Sequence, residues 1–163
     1  MVKKILKITV IAVAFLFVAI QFYRPARTNP PINEAETLEA ATQVPPNIQS
    51  ILTRSCNDCH TNKTNWTWYS NVAPISWGMV DHVNEGRDEL NFSKWTTYSA
   101  NRKSKKLEEV CEQVESGDMP HYQYLLIHWD PKLSADDIKA LCDWSKTESA
   151  KISTSPKTED SPK

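Results

Sequence analysis

Apolar side chains recur at helical spacing through the middle of this chain. Ile48, Ile51 and Leu52 share one face, Ile75, Met79, His82 and Val83 a second, and Leu107, Val110, Cys111 and Val114 a third. Ile138, Leu141, Cys142 and Trp144 make a fourth. No stretch sustains the alternation a half-buried strand requires. Gly117 follows the third stripe as a helix stop. Ser134 opens the fourth helix, with Asp137 three residues on to reciprocate the cap. The pattern predicts an all-α domain of four or five short helices over residues 47–147.

Outside that domain the pattern changes twice. Residues 8–23 (ITVIAVAFLFVAIQFY) carry no charge, and Lys3, Lys4 and Lys7 precede them. At about 1.5 Å per residue this run is slightly short of a bilayer core of about 30 Å, but Ile5, Leu6 and a snorkelling Lys7 lengthen it. The run ends in bulky residues with no small-residue cleavage site and no lipid-accepting cysteine, so residues 1–23 read as an uncleaved single transmembrane helix. The lysines keep its amino terminus in the cytoplasm, which exports the remainder to the periplasm. Residues 24–46, with Pro-Pro pairs at 30–31 and 45–46, read as a semi-extended tether holding the domain off the membrane. Residues 148–163, rich in Ser, Thr, Lys and Pro with Ile152 as the one sizeable aliphatic, read as a disordered tail.

Composition adds mainly exclusions. A net charge of −1 gives no basic field for nucleic acid, and four cysteines are too few for a disulfide scaffold.

The chemistry concentrates in Cys56-Asn57-Asp58-Cys59-His60, a C-x-x-C-H sequence. Two thiols at this spacing add to the two vinyl groups of a haem, and the following imidazole lies under the iron. Cys56 and Cys59 are therefore the expected thioether tethers of one covalent haem c, and His60 its proximal ligand. Zinc would need a second close Cys/His pair, which Cys111 and Cys142 do not form, and a thioredoxin-like centre would follow a buried strand. Export agrees with this reading, because bacterial haem attachment occurs outside the cytoplasm. Trp66, Trp68 and Tyr69 are candidates for the wall of the haem edge, with ordinary core packing the alternative.

The second axial ligand decides reactivity. Met119, in Gly117-Asp118-Met119-Pro120, is carried on a loop after a helix stop and before a proline. It is the expected distal ligand, with His82 the alternative. Met79 reads as packing, and His121 and His128 as ordinary histidines flanking an apolar run.

The order of helix, C-x-x-C-H, long middle segment, G-x-M-P loop and a closing L-S-x-x-D-I-x-A-L helix (133–141) resembles small class I cytochromes c. More specifically, CNDCHTNKTNWTWYSNVAPISW, DHVNEGRDELNFSKW and the MP-x-x-x-Y-x-x-x-H stretch resemble the haem-binding domain family of bacterial membrane-anchored proteins, over roughly residues 48–144. The resemblance implies a cytochrome c-like bundle around a covalent haem on an exported domain, and it does not imply a reaction. His121 departs from the apolar residue that family places after Met-Pro.

Cys111 and Cys142 lie on apolar faces of the helices flanking the Met119 loop, in an oxidising compartment. A disulfide between them would stabilise the fold by roughly 3–4 kcal/mol; the alternative is two buried thiols acting as small hydrophobes. The leading functional expectation is a one-electron carrier with His/Met-ligated iron, working with redox partner proteins that the sequence does not identify. The alternatives are a peroxidase-like enzyme, for which His82, His121 or Asp118 would supply acid–base chemistry, and a haem-based redox or small-ligand sensor.

Overall fold

The computed structural model describes residues 1–154. Its described secondary structure is entirely helical: α1 (Val2–Ile20), α2 (Leu38–Ala41), α3 (Pro46–Ser55), α4 (Asn57–His60), α5 (Ile75–Glu89), α6 (Ala100–Ser116), α7 (Tyr122–Ile127) and α8 (Ala135–Thr154). Short 3-10 turns cover Glu34–Glu36, Trp68–Asn71 and Phe92–Thr97.

Local chemistry sets the ends of the main helices. Pro46 occupies the first turn of α3, where its missing N–H costs nothing. Ser99 Oγ accepts from Arg102 N at the start of α6, and Gly117 ends that helix in the left-handed region (φ 81°). At α8, Ser134 Oγ accepts from Asp137 N while Asp137 Oδ2 accepts from Ser134 N, a reciprocal capping box.

Helices α6 and α8 pack side by side and form the backbone of the domain. Leu107, Cys111 and Val114 face Leu141, Cys142 and Trp144 across the contact. The Sγ atoms of Cys111 and Cys142 are bonded, closing a separation of 31 residues. Farther along, Ser104 Oγ lies 2.7 Å from Ser149 Oγ and 3.0 Å from Ser153 Oγ. Against this pair sit α3, α2 and the aromatic turn carrying Phe92 and Trp95, which complete the core.

Two expectations need correction. The segment 24–46 does not run free: Leu38 is fully buried in the core, and Thr37 caps α2. The Arg87 guanidinium also donates to Thr28 O, Asn29 Oδ1, Thr61 O and Thr64 Oγ1, at 2.8–2.9 Å. One apolar residue at the right place and a multivalent cation therefore fold a stretch whose composition suggests a linker.

The predicted tail is helical as far as Thr154, because Ile152 packs on the core and Ser149 hydrogen-bonds Glu108 Oε1. Its remaining residues, 155–163, lie outside the described ones. At the other end, α1 begins at Val2 and stops at Ile20, so it takes in all three lysines and leaves residues 21–23 beyond its end. Among the described residues no helix is long and apolar enough to cross a membrane. No residue of α1 is buried.

Candidate haem-attachment site

Helix α3 ends at Cys56, and α4 turns once through Asn57–His60, so both thiols and the imidazole project from one short turn. Side chains from the following loop fix that turn. Thr61 Oγ1 donates to Asn57 O and Thr64 Oγ1 to Asp58 O, each at 2.6 Å, while Asn65 N donates to Asp58 Oδ1. Behind it Asn62 and Asn91, both buried, pair through Asn91 Nδ2 and Asn62 Oδ1 at 2.9 Å, and Ser93 Oγ accepts from Asn62 N. Every buried polar group named here has a partner, as a rigid site requires.

Helix α5 crosses this turn in very close contact at Gly86. A Cβ there would lie 2.9 Å from Cys59 O and 3.1 Å from Cys59 Cβ. This contact brings the carbonyl end of α5 onto His60. Nδ1 of His60 lies 2.9 Å from Gly86 O and 3.0 Å from Leu90 O, and both partners only accept. Nδ1 therefore carries the proton, and the lone pair remains on Nε2, as a metal-ligating histidine needs. Burial lowers the imidazole's pKa against the raising effect of those two carbonyls, which keeps the ring neutral.

Of the four cysteines, Cys56 and Cys59 are free. Burial, reinforced by the neighbouring Cys59, raises the Cys56 thiol to about 12. Burial and the Asp58 carboxylate raise Cys59 to about 11. Both are protonated thiols at neutral pH.

Of the candidates for the opposite axial position, His82 and His121 lie against each other. Met119 is half-buried against the core, held after Gly117 with its N–H on Gln113 O (3.0 Å). Two residues on, the His121 ring lies 4.5 Å from the His82 ring. His82 Nε2 is engaged by Gln123 Oε1, whereas His121 Nδ1 is buried without a partner. His128 is fully committed: Nδ1 faces Tyr124 O at 3.1 Å and Nε2 takes the Tyr69 hydroxyl at 2.5 Å.

Helix α5 is rotated from the reading its hydropathy gives. Its buried positions are Ser76, Val80, Val83 and Gly86, while Ile75 is exposed and Met79 and His82 lie at the margin. Small residues allow the close approach, and hydropathy underweights them. The three aromatic wall candidates separate as well: Tyr69 is buried on His128, Trp66 donates to Asn29 Oδ1, and Trp68 is largely exposed.

The MP-x-x-x-Y-x-x-x-H stretch marks Tyr124 without giving its role, and sequence reasoning did not single out Asp58, Gly86 or Arg87. A glycine in mid-helix, in HVNEG, was the available signal for the close contact at Gly86.

These donors fit a haem. A neutral imidazole with its Nε2 lone pair available and two uncommitted thiols project from one turn. The fold and the site define a small all-helical haem-binding module. The chain belongs to the haem-binding domain family, whose family model matches residues 15–147. No curated protein and no solved structure matches it at a significant level. The family match begins inside α1 and includes the whole wrapped segment 24–46, in keeping with a domain that starts well before residue 47.

Proposed function

We propose that this protein is a membrane-anchored, exported one-electron carrier holding a single haem c. The observation that carries the reading is the orientation of His60, whose protonated Nδ1 rests on two α5 carbonyls and leaves Nε2 as the donor. Cys56 and Cys59 would hold the group through thioethers, His60 would ligate its proximal side, and Met119 its distal side. Reversible one-electron exchange is the chemistry such a group supplies.

The protein's part is to fix His60, to set the polarity of the distal side through Met119 and the His82–His121 pair, and to limit access. Redox partner proteins would approach the exposed side chains around the site. The anchor rests on the sequence: residues 8–23 carry no charge and run past the end of α1, no residue of α1 is buried, and the three lysines, which leave α1 by itself short of an apolar span, would snorkel.

Absorption spectroscopy of the purified full chain tests the reading. The expected result is a haem that resists acid–acetone extraction, with a weak far-red band lost in Met119→Ala and retained in His82→Ala. A high-spin resting spectrum with peroxide turnover would move the case to the enzyme alternative. Loss of the band in His82→Ala alone would transfer the distal role to His82.

A further inference from the structure

The chain that leaves α1 is fastened to the domain at once, over a surface that nothing in the haem chemistry requires. The Gln21 amide pairs with the backbone of Ala73 in both directions: Nε2 donates to Ala73 O (3.1 Å) and Oε1 accepts from Ala73 N (2.9 Å). Tyr23 O accepts from Trp77 Nε1 at 3.0 Å, and the two rings meet edge to face at 5.6 Å. Arg27 donates to Ser70 O (3.0 Å) and to Asn71 Oδ1. Only Gln21 separates the last residue of α1 from the exposed Phe22. A freely hinged tether would make none of these contacts.

Beside these polar contacts, several large side chains of the exit segment and of the stretch it meets are exposed. Phe22 is 85% exposed, Trp68 78%, Tyr23 68% and Ile75 44%, with Trp77 half-buried among them and Arg24 exposed beside them. Large aromatics at the end of an apolar helix, with a cation next to them, match the composition of a membrane–water interface. There indole and phenol rings sit at headgroup depth and arginine reaches phosphate. In water the same residues would form a costly apolar patch.

We propose that the exposed side chains of Trp68 and Ile75, together with Phe22 and Tyr23, form a lipid-facing surface that seats the haem domain directly on the bilayer in one fixed orientation. This rests on the reading of α1 as the anchor. The partner is the lipid surface itself, and the Gln21–Ala73 and Tyr23–Trp77 contacts are the clamp that presses the domain onto it. The clamp joins the α5 end opposite to the one that meets His60, so α5 links the membrane contact to the proximal ligand.

Photolabelling of the full holoprotein tests this. The protein is reconstituted into phosphatidylcholine/phosphatidylglycerol vesicles doped with a phosphatidylcholine bearing a diazirine near its ester, and labelled peptides are mapped by mass spectrometry. The expected pattern is label in α1, at Phe22–Tyr23 and within 68–77, with α8 unlabelled. The Gln21→Ala/Trp77→Ala variant should lose most of the label in 68–77 while keeping that in α1 and its haem content. Label confined to α1 would overturn the seating while leaving the anchor intact. Absence of label everywhere would overturn both, and equal label in 68–77 and α8 would show unspecific adsorption and overturn the seating.

Discussion

Tyr124 Oη donates a 2.7 Å hydrogen bond to Oδ2 of Asp58, a residue 66 positions earlier that stands between the two thiols of the C-x-x-C-H turn. The contact ties α7, which follows the Met119 loop, to the turn carrying His60. Burial, followed by the Asp58 carboxylate, raises the Tyr124 hydroxyl's pKa above its usual value, which keeps it a donor at neutral pH. Tyr124→Phe should destabilise the protein by about 1.5–3 kcal/mol, the usual worth of a hydrogen bond to a charged group. It should also weaken the far-red band by loosening α7. Chemical denaturation with parallel spectra reads both, and an unchanged midpoint would show that the bond contributes nothing.

Two glycines of α5 provide a matched comparison. Gly78 has nothing within 4 Å of its would-be Cβ, so Gly78→Ala should stabilise the helix by about 0.5–1 kcal/mol. Gly86→Ala meets the Cys59 backbone and should be destabilising despite the same helical gain, by about 1–3 kcal/mol from overpacking. Haem incorporation should fall in Gly86→Ala only, measured as the ratio of haem absorbance to protein.

The Cys111–Cys142 bridge closes 31 residues, for which the chain-entropy account gives roughly 3–4 kcal/mol. Cys111→Ala/Cys142→Ala should lower the denaturation midpoint accordingly without reducing covalent haem, since Cys56 and Cys59 are the free pair. Equal midpoints for wild type with and without reductant would contradict this.

Acid should act through Asp137. The Arg54 guanidinium 2.7 Å away, helped by the Ser134 N–H and hydroxyl, lowers its carboxyl from 3.8 to about 2. A folded pKa below the unfolded one contributes stability that is complete above about pH 4 and is lost as pH falls towards 2. The group is a quarter exposed, so solvent screens the pair and the effect is modest. Asp137→Asn should be less stable than wild type at neutral pH, with the difference closing below about pH 3 in urea titrations at stepped pH.

What the sequence revealed depended on how local each feature was. The helices at 46–55, 75–89, 100–116 and 135–154 repeat their apolar residues within a few turns, so pattern alone located them. Leu38 lies in a polar, proline-rich stretch and enters the core only because α3 and the Phe92–Trp95 turn are there to receive it. The attachment residues are five consecutive positions and need no tertiary information. Their supports come from far along the chain: Gly86 and Leu90 for His60, and Tyr124 for Asp58. The rotation of α5 escaped notice because serine and glycine, the residues that permit its approach, carry no hydrophobic signal.

The α6–α8 pair contributes neither the attachment turn nor His60, yet it holds the largest share of the core together through packed side chains, a covalent bridge and a row of serine hydroxyls. Mechanical support and cofactor chemistry are therefore assigned to different parts of a small chain. Substitutions in the Met119 loop or in α7 can accumulate on a frame that does not depend on them, which leaves room for related chains to diverge around the site while keeping this architecture.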